Sequence, residues 1–339
     1  DCWYDSGAAT FAQHHYPFEN QVRLEKSLPY DFITEAVDQT RGWFYTLHVL
    51  AALLFDSTAY KTVVVAGHVV DEKGEKMSKS KGNVLNPWEV FDKVGVDSVR
   101  LQFCTSSPEA PKRFGYDLVK ENVAPFLTVL WNTCYYASEV LSQKAQRADV
   151  PLSIEDTWLM SRINSVTRAL ELALDMHEYD VCFRELKSFV IDDFSRWYIK
   201  LIRHRAGNVD DALQYTFKYV LSRLARLLAP FAPYVSEYAY KQLVKDGAES
   251  VHLCRWKASE KIKADLEQKM AIAKEFVQAA MAARVQMQRP LKWPVKELII
   301  IPKTEIKLGL MRSPASEAAE ELSLVIALQA NAKTVKSMS

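Results

Sequence analysis

The residues best suited to chemistry lie in one polar stretch, Asp71-Glu72-Lys73-Gly74-Glu75-Lys76-Met77-Ser78-Lys79-Ser80-Lys81-Gly82-Asn83. Lys76 and Lys79 stand three apart, flanked by the hydroxyls of Ser78 and Ser80 and by two glycines. That set suits a polyphosphate. Lysine supplies a mobile point charge for phosphate oxygens, and hydroxyls and loop amides supply shorter hydrogen bonds. Glycines let such a loop swing, so that closure coincides with charge build-up in a transition state. The spacing is not that of a Walker A loop, because no GxxxxGK[ST] string occurs. Taken alone, the stretch also reads as a solvated charged loop, and its setting has to decide.

The elements that must position this loop come before it. Pro29 to Thr34 reads as a short strand running into Glu35-Ala36-Val37-Asp38-Gln39, whose polar side chains would project from the strand end. Trp43, Leu47, Leu50 and Leu54 then recur at helical spacing. Thr62-Val63-Val64-Val65-Ala66 is a β-branched run without polar alternation, which suits a strand buried on both faces of a parallel sheet. Strand, helix and strand in this order make a βαβ unit. Gly67-His68 ends its second strand and the lysine stretch follows as a surface loop. Pro87 and Asp97 are helix starts, and the opening residues, with Asp5-Ser6-Gly7 and Pro17, read as strand and loop.

From residue 118 the pattern becomes all-helical. Amphipathic segments are expected at 118–142, 154–178, 182–206, 209–229 and 231–245, punctuated by Pro151, Gly207 and Pro230, which makes a bundle. Leu159, Ile163, Val166, Leu170 and Leu174 form the apolar stripe of the second segment. Arg196, Lys200, Arg203 and Arg205 put positive charge along one helix beside Trp197 and Tyr198. Basic side chains there can hold RNA phosphates, and aromatics can stack on splayed bases. The competing reading makes the two aromatics bundle core, which we favour, and pairs the arginines with acidic neighbours. A charged helix at 261–288, a strand at 291–301 and a short helix at 315–329 close the chain.

Composition narrows the classes. Forty-three Lys and Arg against 42 Asp and Glu leave a formal charge of +1 over 339 residues, so any RNA contact must come from local patches. The five cysteines are scattered with no CxxC pair, and their odd number argues against a disulfide framework; a reducing, cytoplasmic setting is expected. His252 and Cys254 lack a second pair at ligand spacing, so no metal site is expected. No apolar run approaches the roughly 18 to 20 residues a membrane helix requires, and the acidic, aromatic start is unlike a signal peptide.

Lys76 to Ser80 matches, letter for letter, the KMSKS signature of the class I aminoacyl-tRNA synthetases. Asp1-Cys2-Trp3-Tyr4-Asp5-Ser6-Gly7, Tyr16-Pro17-Phe18-Glu19-Asn20 and Asp38-Gln39-Thr40-Arg41-Gly42-Trp43-Phe44 resemble segments of the isoleucyl members. Asp192 to Ile199 with Arg203 and Arg205, and Leu227 to Tyr234, resemble the anticodon bundle of the isoleucyl, valyl, leucyl and methionyl subgroup. Ala283-Arg284 and Arg289 to Val295 resemble the archaeal and eukaryotic-type isoleucyl enzymes.

The resemblance implies an α/β, partial Rossmann-like catalytic domain over 1–116, an all-α anticodon-binding bundle over 117–250, and part of a small α+β region over 251–339. It implies ATP with Mg2+ as substrate, with isoleucine and tRNA(Ile) as partners of a monomer. Lys76 and Lys79 would neutralise the triphosphate, with Met77, Ser78 and Ser80 beside it. Glu35, Asp38 and Gln39 would hydrogen-bond ribose and adenylate, and Gly67 and His68 would lie against adenine. Trp3 and Trp43 would wall the amino-acid pocket, and Arg196, Lys200, Arg203 and Arg205 would meet tRNA. Taken singly, Trp43 reads as helix core, Asp38 as a helix cap and His68 as a plain strand end.

Two departures matter. Ala36 stands where the family has glycine, so a methyl crowds the approach beside Glu35. The family's H-x-G-H string does not occur, nor does its editing insert. The chain is therefore expected to open midway through the catalytic fold and to be inactive alone, since positioning both ends of a reaction supplies much of the rate. A valyl relative and a non-catalytic RNA-binding module are the alternatives, and the R-G-W-F segment argues against the valyl one.

Overall fold

The computed structural model describes residues 2–141, 150–205, 210–244, 247–256, 259–300 and 314–337. Asp1, Gly207 and the end of the 291–301 segment lie outside them. The chain forms two compact units, residues 1–125 with 172–184, and residues 126–171 with 185–339.

The first unit begins with helices, not with the strand and loop expected: α1 (Cys2–Gly7), α2 (Ala9–Ala12) and α3 (Gln21–Ser27). Packing overrides the local turn signals. Phe11 and Tyr16 meet the ring of Phe55 edge-on at 5.8 and 5.4 Å, a geometry that suits the ring quadrupoles. Strand β1 (Tyr30–Ala36), helix α4 (Trp43–Phe55) and parallel strand β2 (Tyr60–Ala66) follow as the βαβ pattern predicts. The register pairs Tyr30 with Tyr60 and Glu35 with Val65, so both strands end together. Leu47, Ala51 and Ala59 are the buried centre of this unit, with Ile33, Trp43 and Tyr60 packed on them.

One expectation fails here. Only Val64 of β2 is buried, and Val63 is 38% exposed. Among the described residues the sheet has two strands, too few to enclose a strand on both faces. Beyond it lie β3 (Val69–Val70), α5 (Pro87–Val94) and α6 (Val96–Phe103), then β4 (Lys112–Arg113), which pairs parallel with β3, and α7 (Tyr116–Asn122). Asn86 caps α5, its side chain accepting from the Trp88 amide, with Pro87 at the first helical position.

The second unit holds most of the predicted bundle. Helices α8 (Ala124–Val140), α9 (Ile154–Asp175) and α10 (Tyr179–Ser188), of which residues 172–184 are counted with the first unit, lead into a π-helical stretch, Phe189–Tyr198, and α11 (Ile199–Ile202). Then come α12 (Asp211–Leu228) and α13 (Pro233–Ala239), which continues in a second π turn, Tyr240–Val244. Leu159, Ile163, Val166 and Leu170 are buried as the stripe predicted. Phe194, Tyr198 and Phe217 cluster with ring centroids 5.6 to 6.0 Å apart. Trp197 and Tyr198 are core, as favoured above.

Helix α14 (Ala264–Gln286) and strand β5 (Val295–Ile300) fulfil two further expectations. The single helix expected at 315–329 is two, α15 (Pro314–Glu321) and α16 (Ser323–Ala330), separated at buried Leu322. Strand β6 (Ala332–Ser337) then pairs parallel with β5. No helix among the described residues is long and apolar enough to cross a membrane.

Candidate functional site

The lysine loop is built on hydrogen bonds rather than on a core. The Asp71 carboxylate accepts from the amides of Lys73 (3.0 Å) and Glu75 (2.8 Å), and the Asp71 amide donates to the Glu75 carbonyl at 2.9 Å. Gly74 supplies the positive φ of +86° that this turn needs. The chain then crosses Val70 as an antiparallel bridge at Lys76. Asn83 closes the loop from the other end. Its Nδ2 donates to Asp71 Oδ2 at 2.8 Å, and its Oδ1 accepts from the Ser78 amide at 2.9 Å. The Asp71 carboxyl is held below its ordinary range, first by Asn83 and then by the Glu75 amide.

Between these anchors the lysines face solvent. Lys76 and Lys79 are both exposed, and among the described residues neither makes an ion pair. Lys81 instead pairs with Glu75 at 2.9 Å. Ser78 and Ser80 share a hydroxyl contact of 3.2 Å, and Met77 is half-buried. A cavity of about 450 Å³ opens beside the loop, lined by Asp71, Glu72, Met77, Asn83, Phe114 and Tyr116. Glu72 reaches out of it to accept from the Asp117 amide at 3.0 Å.

The expected adenylate contacts sit at the paired strand ends. Glu35 and Asp38 are exposed, and Gln39 is half-buried. Gln39 rather than Asp38 caps α4, its Oε1 accepting from the Trp43 amide at 3.0 Å while its Nε2 donates to Asp38 Oδ2 at 2.9 Å. Trp43 is half-buried and donates through Nε1 to the Ser6 carbonyl at 3.1 Å. The Trp3 ring, 46% exposed, passes so close over Gly42 that a Cβ there would sit 2.8 Å from it. Trp3 and Trp43 therefore come to the same helix start.

Gly67 has a steric reason of its own. A Cβ there would lie 2.3 Å from the Ala110 carbonyl oxygen, and the Gly67 amide donates to Pro108 O at 2.9 Å. The crossing of residues 108–110 thus accounts for the glycine without a ligand. His68 is exposed, and its carbonyl accepts from the Lys112 amide at 2.8 Å.

The basic residues of the bundle separate into two kinds. Arg196, Lys200 and Arg203 follow one another at helical spacing and are exposed. Arg196 pairs with Asp192 at 3.1 Å, and Lys200 Nζ approaches the Gln329 carbonyl at 3.4 Å. Partial desolvation, and next the charge of Arg203, push the Lys200 ammonium below its ordinary range.

Arg205 departs from the expected role. Its guanidinium forks onto Asp156 (3.1 and 2.9 Å) and also reaches Glu155 at 3.1 Å, Asp210 at 2.7 Å and Ser153 Oγ at 3.1 Å. Asp156 is fully buried and also accepts from Tyr198 Oη at 2.6 Å. Burial alone would raise the Asp210 carboxyl, but Arg205 and the Leu213 amide hold it below its usual range. With its Nε, Nη1 and one Nη2 hydrogen spent on three carboxylates and Ser153, the guanidinium keeps one of its five donors, and at 14% exposure it has little access to a phosphate.

Sequence reasoning gave Asp71 and Asn83 no role. Both stand inside the loop it singled out, yet nothing periodic marks their partnership. Among the described residues no cluster of His, Cys, Asp and Glu is arranged to hold a metal.

Comparison with known proteins matches two segments of the chain. Residues 1–114 match the family model of class I tRNA synthetases (I, L, M and V), and residues 156–300 match that of the anticodon-binding domain of tRNA ligase. An isoleucine–tRNA ligase of Clostridium novyi (strain NT) is 40% identical over 323 residues, 90% of this chain and 31% of that protein. The isoleucine–tRNA ligases of Thermus thermophilus and Methanothermobacter marburgensis are 38% and 37% identical, over 96% and 99% of this chain and 33% of each relative. The chain thus spans about a third of the length of these relatives. A LeuRS–tRNA–LeuAMS complex of Agrobacterium radiobacter K84 has the same fold over 79% of this chain and 33% of its own, with a TM-score of 0.60 at 19% identity. Its lysine loop and its bundle each matched to a domain of the same enzymes, this chain belongs to the class I tRNA synthetases of the I, L, M and V group.

Proposed function

We propose that the full-length protein containing this chain is a monomeric, cytoplasmic isoleucine–tRNA ligase. It would activate isoleucine with Mg–ATP and pass the aminoacyl group to tRNA(Ile). The observation that carries this reading is the pair Lys76 and Lys79, exposed on a loop held at Asp71, Ser78 and Asn83. In this reading the isoleucine carboxylate attacks the α-phosphorus and pyrophosphate leaves. The two ammonium groups offset charge on the phosphate oxygens, chiefly Lys79 as that charge builds. Met77, Ser78 and Ser80 would line the same phosphates. Glu35, Asp38, Gln39, Gly67 and His68, at the ends of β1 and β2, would hold the nucleoside. Trp3 and Trp43 would wall the isoleucine side chain within a partial Rossmann-like domain over 1–116. The bundle over 117–250 would meet tRNA through Arg196, Lys200 and Arg203, leaving Arg205 to hold the helices together.

ATP–pyrophosphate exchange tests this. The full-length protein should show isoleucine-dependent exchange and favour isoleucine over valine by about 100-fold, the general figure for isoleucyl enzymes rather than one worked from this chain. The isolated 339-residue chain should show none. Equal use of valine, or exchange by the isolated chain, would overturn the reading.

A further inference from the structure

The two lysines are exposed and flexible, yet catalysis by point charges depends on where those charges stand. What fixes them here is a pair of side chains, Asp71 and Asn83, that bring no positive charge of their own to the phosphates. The Asp71 carboxylate gathers three donors: the amides of Lys73 and Glu75 on one oxygen, and Asn83 Nδ2 on the other. Asn83 spends its remaining face on the loop itself. Its Oδ1 receives the Ser78 amide at 2.9 Å, and Nδ2 lies 3.4 Å from the Lys76 carbonyl. Ser78 stands between Lys76 and Lys79, so one amide side chain grips the backbone from which both lysines extend.

Each polar atom in this arrangement has a specific counterpart. An aspartate at position 83 would set a second carboxylate against Asp71, and an alanine would release Ser78 altogether. Exchanging the two residues preserves the pattern. In D71N/N83D the amide side chain at position 71 would accept the Lys73 and Glu75 amides on its oxygen and donate through its nitrogen. The carboxylate at position 83 would then accept both from that nitrogen and from the Ser78 amide. Both side chains are half-buried at the cavity beside the loop and neither belongs to the buried Leu47, Ala51 and Ala59 centre of the unit, so their loss should disturb the loop rather than the fold.

We propose that Asn83 and Asp71 are positioning residues: a clasp that holds Ser78 in place and so presents Lys76 and Lys79 to the triphosphate. This inference rests on the functional reading above. It differs from a merely structural role because it ties a loop hydrogen bond to the rate of one chemical step.

The test uses the full-length protein and N83A, N83D, D71N and the exchange variant D71N/N83D. Isoleucine-dependent ATP–pyrophosphate exchange is measured against ATP and against isoleucine concentration, and hydrogen exchange is followed at the Ser78 and Glu75 amides. N83A should lower kcat by roughly 10- to 100-fold, the cost of a displacement near an ångström, with a smaller change in KM for isoleucine. Its Ser78 amide should exchange faster while the melting temperature stays unchanged. N83D should fall further than N83A, and D71N/N83D should recover most of the loss. Normal kcat in N83A, or an exchange variant no better than its single parents, would overturn the clasp. No exchange by the unaltered protein would overturn the functional reading, and the clasp's catalytic role with it.

Discussion

Replacing Arg205 by alanine should unfold the bundle far more readily than it weakens RNA binding. The guanidinium is 14% exposed and closes contacts to Glu155, Asp156 and Asp210. Truncation leaves the Asp156 carboxylate, wholly buried, with Tyr198 and Ser153 as its remaining donors. Removing one partner of a buried ion pair costs about 3 to 5 kcal/mol, because a charge is left without compensation. That is a large share of a typical domain stability of roughly 5 to 15 kcal/mol. At about 2 to 4 °C per kcal/mol for a domain this size, the bundle transition should drop by roughly 6 to 20 °C. Differential scanning calorimetry on the 339-residue chain reads this. R205K, which keeps the charge but loses the fork, should fall between parent and R205A. Below the lowered transition, the salt dependence of tRNA binding should match the parent, since no phosphate contact has gone. A transition within 1 kcal/mol (about 2 to 4 °C) of the parent, together with a shallower salt slope, would refute the reasoning. Arg205 would then belong to the RNA face.

Three further outcomes are expected. Lys79→Ala in the full-length protein should slow adenylate formation by roughly 100- to 1000-fold, taking removal of one transition-state charge partner as the guide; an unchanged single-turnover rate would remove this lysine from the chemistry. Arg203→Ala should weaken tRNA binding about equally for every tRNA sequence and reduce the salt slope by about one; filter binding at several salt concentrations checks it, and an unaltered slope would take Arg203 off the RNA face. Glu237 is held down to about 2 from 4.5, first by Lys241 and then by the Val251 amide and the Ser250 hydroxyl. A depressed carboxyl stabilises the fold above its unfolded pKa and loses that contribution as pH falls through its folded one. Hydrogen exchange at Val251 should therefore speed up as pH is lowered from 4.5 towards 2, after correction for the intrinsic rate. In E237Q it should be fast already at pH 7, and equal protection in parent and variant would contradict the assignment.

Sequence legibility divided along physical lines. β1, α4 and β2 could be read because their apolar spacing is local and their packing partners lie within the same βαβ unit. The lysine loop could be read because its residue types and spacing are unusual by themselves. The first helices could not, because Asp5-Ser6-Gly7 carries turn signals, while what holds α1 is the close approach of Gly7 to Thr46 and Leu50 of α4, far along the chain. For a related reason, the ion-paired setting of Arg205 is not legible. A basic residue on a bundle helix looks the same whether it faces phosphate or a carboxylate 49 positions earlier in the chain. The arrangement around Asn83 was missed because its partners stand 5 and 12 positions away on a loop, where no period exists to suggest them.

The contacts of α14 have a consequence for how that helix finds its place. Its buried positions include Met270, Ala273, Val277 and Ala280, a row of mostly small side chains. Such a row slides easily: a displacement of one turn, about 5.4 Å, would bring one small residue where another had been. The ionic contacts do not slide. Glu267 receives Ser161, Ser165 and Arg162, and Lys274 meets Asp193 and the face of Trp158. A one-turn slip would carry Glu267 away from Arg162 and take Lys274 from Asp193, leaving Asp193 with Arg162 alone, at part of the roughly 3 to 5 kcal/mol that breaking a buried pair costs. The charges thus act as an address. Apolar burial holds α14 against the bundle, and the charged side chains determine which of several near-equivalent seatings it keeps.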